Sequence, residues 1–228
     1  MSSKNLILSG GIGHDFAATS HAVASILDEA DFNSIVREDV GPALVELGRE
    51  PVDLLTVNLL RWRMLDRYEE ERPRFGLELA QDQRDAILRH LDRGGGILAL
   101  HAAPICFDDW AEWRRVLGAV WRWEQSNHPP LGPAVVAVRD TSHPLVEGLE
   151  DFDVVDEIYG FLDYEDDVDG LLTSEHGGTE HPLLWARKVG GGRVVYDALG
   201  HDRQSLEHPE HRRLIQRAAL WAIGHAPE

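Results

Sequence analysis

Four short, apolar-rich runs constrain this chain more than any other feature, and three of them abut glycine. Asn5–Ser9 (NLILS) leads into Gly10-Gly11-Ile12-Gly13, while Ile97–Leu100 (ILAL) and Arg193–Ala198 (RVVYDA) follow the triple glycines at 94–96 and 190–192. The fourth is Val52–Val57 (VDLLTV). Apolar runs of this length bounded by turn residues read as strands buried on both faces. Between them the period changes. Val23, Ile26, Leu27 and Ala30 recur at helical spacing and predict a helix over roughly Ala17–Ala30. Asp82–Arg93 is a second helix, stopped by Gly94-Gly95-Gly96, and Ser34–Arg37 is a further strand. Strands alternating with helices need crossover connections, which implies an α/β fold with a mostly parallel sheet and helices on both faces.

The second half follows a different pattern. Asp109 and Glu112 have capping-box spacing, predicting a short helix that carries Trp110, Trp113 and Leu117. Ala134–Arg139 alternates like a strand. Leu183–Lys188 and Arg193–Ala198, separated by Gly190-Gly191-Gly192, read as a hairpin that gives the sheet an antiparallel C-terminal edge. Pro209 suits a helix first turn, and Leu214, Ile215, Ala218, Trp221 and Ala222 define a closing amphipathic helix. Glu150–Asp169 is dense in charge but interrupted by Phe152, Val154, Ile158 and Phe161, as in a solvated strand-and-loop region. Arg61–Arg74 reads as an excursion over the sheet edge, a candidate flap. With no repeat and no linker-like stretch, residues 1–228 are expected to form a single domain.

Charge narrows the partners. Forty Asp and Glu against 22 Lys and Arg leave a net charge of −18, which repels a phosphate backbone and argues against nucleic acid. No apolar run approaches the ~18 residues of a membrane span, and the chain enters a strand-like segment at once, so a cytoplasmic location and no membrane partner are expected. The single cysteine, Cys106, excludes an internal disulfide framework and a Cys-rich zinc module. A small-molecule partner fits best, and homo-oligomerisation stays open.

Three predicted strand ends each deliver a histidine: His14-Asp15 after the first, His101 after ILAL, and His201-Asp202 after the last. Ligands of open parallel sheets gather beyond the carboxyl ends of the strands. One such histidine is ordinarily a loop-capping hydrogen bonder; three at corresponding ends point to a shared site for proton transfer or metal ligation. Glu157 and Tyr159, two apart on a strand, face the same side. The Gly10–Gly13 loop lacks both GxGxxG and the P-loop lysine, so it reads as a tight turn beneath a ligand. Cys106 has no evident neighbouring base and reads as an inert, partly buried thiol. Trp110, Trp113, Trp121, Trp123 and Trp185 suit either core packing or stacking on sugar rings.

These residues, taken in order, resemble a known family. Gly10-Gly11…His14-Asp15, Gly94-Gly95-Gly96…Leu100-His101-Ala102-Ala103, His128-Pro129, His143-Pro144…Gly148-Leu149…Phe152…Asp156-Glu157-Ile158-Tyr159, His181-Pro182-Leu183…Trp185, Gly192-Arg193-Val194…Leu199-Gly200-His201-Asp202 and Trp221-Ala222 are similar to the trehalose-utilisation (ThuA-like) family. The resemblance implies a flavodoxin-like three-layer sandwich akin to class I glutamine amidotransferases, and a role in disaccharide or keto-sugar catabolism. Amidotransferases carry a cysteine at the elbow where this chain has His101, so glutamine-dependent ammonia transfer is not expected. The resemblance implies His14, His101, Glu157, His201 and Asp202 as catalytic residues, and Gly11, His128, Tyr159 and Trp185 as substrate-binding ones. His143 and His181, each before a proline, also read as turn residues. A divalent metal, zinc or manganese, is compatible with the histidines and Glu157, although no HExxH-like spacing specifies it. The chemistry expected is histidine/carboxylate acid–base catalysis on a sugar or keto-sugar. The alternative is a non-catalytic carbohydrate- or partner-binding module on a degenerate amidotransferase fold.

Overall fold

A computed structural model describes residues 2–139 and 142–225. The first half alternates as its periodicity requires: β1 (Ser3–Gly11), α1 (Phe16–Asp28), β2 (Phe32–Arg37), α2 (Val40–Arg49), β3 (Leu54–Leu60), α3 (Arg72–Phe75), α4 (Gln81–Asp92) and β4 (Gly96–Leu100). Every residue of β3 and β4 is buried, as expected of apolar runs covered on both sides. Helix α2 was not anticipated; its apolar positions Val40, Ala43, Leu44 and Leu47 are interrupted by glycine and proline, which hides the period.

The second half comprises α5 (Glu112–Leu117), β5 (Ala119–Val120), β6 (Gly132–Val138), β7 (Phe152–Asp156), β8 (Asp163–Tyr164), β9 (Leu172–His176), β10 (Thr179–Val189), β11 (Gly192–Asp197), α6 (Arg203–Leu206) and α7 (Pro209–Ala222). Asp109 does not cap α5. Its carboxylate instead accepts the Leu79 N–H at 3.0 Å and pairs with Arg84, and α5 begins only at Glu112. Those buried partners outcompete the local cap.

Nine strands form one mixed sheet in the order β2-β1-β3-β4-β11-β10-β9-β6-β7. The first five are parallel, and each of the remaining four runs antiparallel to its neighbour. The antiparallel part is thus larger than the expected hairpin edge, because β6, β7 and β9 from the middle of the chain extend it. Helices α1 and α7 pack together against the sheet, as do α2 and α4.

Alternating direction returns β7 to the same sense as β11, so both point their carboxyl ends at one rim. In a flat sheet the four inter-strand steps from β11 to β7 would span about 19 Å. Instead Asp156, the last residue of β7, accepts the Gly200 N–H just beyond β11 at 2.7 Å. The antiparallel half therefore bends back over the rim. The bend is located in β6, which pairs with β7 through Val136 and with β9 from Ala137 onward.

Candidate active site

The site is assembled at this rim. His101 directly follows β4 and has φ +41°, a conformation a non-glycine residue adopts only when its surroundings enforce it. Three hydrogen bonds do so: its N–H donates to Asp197 O at 2.7 Å, its carbonyl accepts from the Tyr196 hydroxyl at 2.8 Å, and its Nδ1 lies 2.8 Å from Ala198 O. A carbonyl only accepts, so Nδ1 carries the proton and the Nε2 lone pair faces outward.

His14 meets that lone pair. Its Nδ1 lies 3.3 Å from Ile12 O, which by the same reasoning leaves its Nε2 unprotonated, and that atom sits 3.1 Å from His101 Nε2. Two lone pairs at such a distance repel unless a proton or a cation lies between them. His201 and Glu157 complete the group: Glu157 Oε2 is 3.1 Å from His201 Nδ1 and 3.6 Å from His101 Nε2. His201 Nδ1 is buried without an aligned hydrogen-bond partner. One ligand atom from each of His14, His101, Glu157 and His201 lies within 4.8 Å of the others.

Asp156 holds these elements in place. It is 1% exposed, and its carboxylate accepts N–H groups from Glu157 (2.7 Å), Gly200 (2.7 Å) and His201 (3.3 Å). One buried carboxylate thus ties the end of β7 to the turn after β11 and sets Glu157 beside His201. Sequence reasoning assigned it no role. β7 ends at Asp156, so Glu157 and Tyr159, expected two apart on a strand, lie in the segment that follows it.

Electrostatics divides the four roles. Burial, and then the neighbouring His101 and His201, lower His14 to about 4, so it is neutral at pH 7. Burial alone would raise Glu157, but contacts with His101 and His201 outweigh it and hold the carboxyl well below its usual range. Contact with Glu157 raises His201. Three imidazole nitrogens and a carboxylate form a donor set suited to a divalent metal. An ion with Zn–N bonds of about 2.05 Å separates tetrahedral ligands by about 3.3 Å, close to the His14–His101 spacing. The facing lone pairs of His14 and His101 also fit a cation, so the cluster can coordinate one.

Aromatic rings wall the site. Tyr159, 2% exposed, packs on His101 with centroids 4.5 Å apart, and His128 stacks on Tyr159 at 5.1 Å with an interplanar angle of 17°. His128 Nδ1 lies 3.6 Å from Glu157 Oε1. Trp121 touches both Tyr159 (5.1 Å) and His128 (6.0 Å), and its indole N–H is buried without a partner. Trp121 was not singled out from sequence because nothing local separates it from the core tryptophans.

Two expectations are corrected. Trp185 does not line the site: it is fully buried, packs on Tyr196 at 4.4 Å, and donates its indole N–H to Leu117 O at 2.8 Å. Strand β10 carries it into the core, where no ligand reaches. Asp202, implied as catalytic, contributes no ligand atom to the cluster; its carboxylate accepts the Ser205 N–H at 3.2 Å as the N-cap of α6. Gly11 is required by packing, since a Cβ there would lie 2.1 Å from Leu60 O on the paired strand β3. His143 packs on Trp221, and His181 Nδ1 accepts the Phe161 N–H, both outside the cluster. Cys106 is 1% exposed, donates to Leu59 O, and is pushed up to about 12 by burial, which leaves it inert as a thiolate nucleophile at neutral pH.

With His101 at the elbow and no thiol in the cluster, the arrangement is not that of an amidotransferase. Residues 4–222 match the family described as ThuA, trehalose utilisation. The chain belongs to the ThuA family. Similar solved structures share its fold. A ThuA-like protein from Parabacteroides merdae is 19% identical with TM-score 0.81, covering 100% of this chain and 92% of that one. A ThuA-like protein from Bacteroides uniformis is 18% identical with TM-score 0.67, covering 97% and 91%. A cytoplasmic protein from Salmonella typhimurium is 16% identical with TM-score 0.64, covering 96% and 98%. No curated protein sequence is a significant match. Among the described residues no helix of this ThuA-family chain is long and apolar enough to cross a membrane.

Proposed function

We propose that this ThuA-family chain is an enzyme of carbohydrate metabolism that acts on a sugar or keto-sugar derivative through His14, His101, His201 and Glu157. It works as one domain on a flavodoxin-like, amidotransferase-like scaffold, in the cytoplasm like its Salmonella counterpart. The observation that carries this reading is the convergence of three imidazoles and one carboxylate within 4.8 Å.

The protonation states suit acid–base work. His14 offers a neutral lone pair, and contact with Glu157 favours a proton on His201, so a base and a proton donor face each other across the cluster. Tyr159, His128 and Trp121 support a ring. Zinc or manganese is proposed as the ion held by His14 Nε2, His101 Nε2, His201 Nδ1 and a Glu157 oxygen. When bound it supplies Lewis-acid polarisation of a sugar oxygen. In that state His128, beside Glu157 at the mouth, is the imidazole left free to move a proton.

The test is turnover of a keto-glycoside by wild type, His101→Ala and His201→Ala, with elemental analysis of protein purified without a His tag. Loss of at least 100-fold in both variants is expected. Unchanged turnover in both would remove the mechanism. Sugar binding that survives both changes, fails in Trp121→Ala and is never accompanied by turnover would favour the non-catalytic module.

A further inference from the structure

Arg61 follows β3 directly and sits beside the Gly10–Gly11 end of β1. This is where the sheet changes direction of winding. The β1–α1–β2 connection moves outward from β1, while β3–α4–β4 moves the other way. Right-handed crossovers put α1 and α4 on opposite faces and open a crevice between β1 and β3, where open α/β sheets bind ligands. The imidazole cluster lies on the same rim, beyond β4 and β11.

Among the described residues this guanidinium has no hydrogen-bonded or ion-paired side-chain partner, although it lies over the Phe75 ring. Its Nε is buried without a hydrogen bond, and no ion pair or side-chain hydrogen bond engages the rest of the fork among the described residues. Every other arginine there that is not exposed, namely 63, 84, 114, 187, 193, 212 and 217, donates at least one side-chain hydrogen bond. Burial lowers Arg61 below its ordinary value, with the charges of Glu38 and Asp39 acting on it from beyond ion-pair distance. A second cation is close: Arg74 lies 4.7 Å from the Phe75 ring centroid and Arg61 lies 5.7 Å from the same centroid. Two guanidinia sharing one aromatic ring repel each other, and a bound anion would relieve both that repulsion and the unmet Nε hydrogen bond.

The glycine turn lets the guanidinium approach the backbone closely. Gly10 has φ +105°, and a Cβ there would lie 3.1 Å from Arg61 Nη2. The same Gly10–Gly13 turn leads to His14, so one four-residue loop separates the cation from the imidazole cluster. Phe75 and Ile12 pack with Leu60, Phe16 and Tyr159, a shared floor running from one to the other. In a chain of net charge −18, long-range attraction for anions is absent, so recognition of one must come from a local fork of this kind.

We propose that Arg61, with Arg74 beside it, forms an anion subsite that holds a carboxylate or phosphate group on the sugar derivative processed at the imidazole cluster. This rests on the reading given under Proposed function and narrows its substrate to an acidic sugar, an aldonate-type acid or a sugar phosphate. The guanidinium fork would donate two parallel N–H groups to two oxygens of the ligand.

The test is calorimetry on full-length protein stripped of metal by a chelator, with D-gluconate, D-glucose 6-phosphate and D-glucose as probes. At least one acid should bind at least 10-fold more tightly than glucose, and which one does assigns carboxylate or phosphate. Arg61→Gln should abolish that preference while leaving glucose binding unchanged, Arg61→Lys should retain part of it, and Arg74→Gln should weaken it several-fold. Circular dichroism checks the fold, and if Arg61→Gln fails to fold, Arg61→Lys and Arg74→Gln carry the test. Equal binding of all three probes, or a preference that survives Arg61→Gln, overturns the subsite. Glu157→Gln separates the two readings. Lost turnover without any acid preference rejects only the subsite, whereas an Arg61-dependent preference in a protein whose Glu157→Gln variant turns over normally rejects only the catalytic assignment.

Discussion

Asp156 offers the sharpest test of how the rim is assembled. Replacing it with alanine removes the acceptor of two short N–H bonds, from Glu157 and Gly200, and of a longer one from His201, all near or inside the core. A hydrogen bond to a charged acceptor contributes about 1.5–3 kcal/mol, so loss of the two short bonds costs about 3–6 kcal/mol. For a chain of this size each kcal/mol lowers Tm by roughly 2–4 °C, giving a fall of roughly 6–24 °C. Asp156→Asn retains one acceptor oxygen but turns its NH₂ toward a backbone donor, so about half that loss is expected. Urea denaturation at 25 °C with a parallel thermal melt measures both. The variants should also lose affinity for a divalent cation, because Glu157 and His201 are no longer held at 3.1 Å. Were both variants within about 1 kcal/mol of wild type, with cation binding intact, the carboxylate would not be what joins β7 to β11.

Two further outcomes follow from the buried polar and aromatic groups. His211 Nε2 lies 3.1 Å from Asp197 Oδ2 and its Nδ1 lies 2.9 Å from Ser205 O, so both nitrogens face acceptors and favour the imidazolium. Burial opposes the charge, but Asp197 prevails and raises His211 above 6.5. A raised value stabilises the fold fully below 6.5 and loses that contribution as pH rises through the folded value. The urea-midpoint gap between wild type and His211→Gln should therefore shrink from pH 6 to pH 9, and parallel curves would refute the ion pair. Trp185→Phe should lower stability by about 1–3 kcal/mol through the lost bond to Leu117 O and the space left behind, with KM for any sugar unchanged. A raised KM would return Trp185 to the binding site.

Much of this architecture is legible in the chain because its cause is local. The unbroken apolar runs of β3 and β4 can only be strands covered on both faces, and the period of Val23, Ile26 and Leu27 allows only an amphipathic α1. Strand ends in a parallel sheet share a rim, so the sequence places His14, His101 and His201 together there. Whatever depends on distant partners was not legible. Asp109 has capping-box spacing, yet Leu79 N–H and Arg84 claim its carboxylate. Trp185 and Trp121 are chemically equivalent in sequence, but β10 buries one while the segment after β5 sets the other against Tyr159.

The sequence alone determined the α/β class and the histidine-bearing rim, since both follow from periodicity or composition within a few residues. Only the tertiary structure decided that Asp156 ties β7 to the turn after β11 and that Arg61 lies over Phe75 without a hydrogen-bonded side-chain partner among the described residues. Both depend on how β7 bends back over the rim and how α3 brings Phe75 beneath Arg61, and those are balances of packing between segments far apart in the chain.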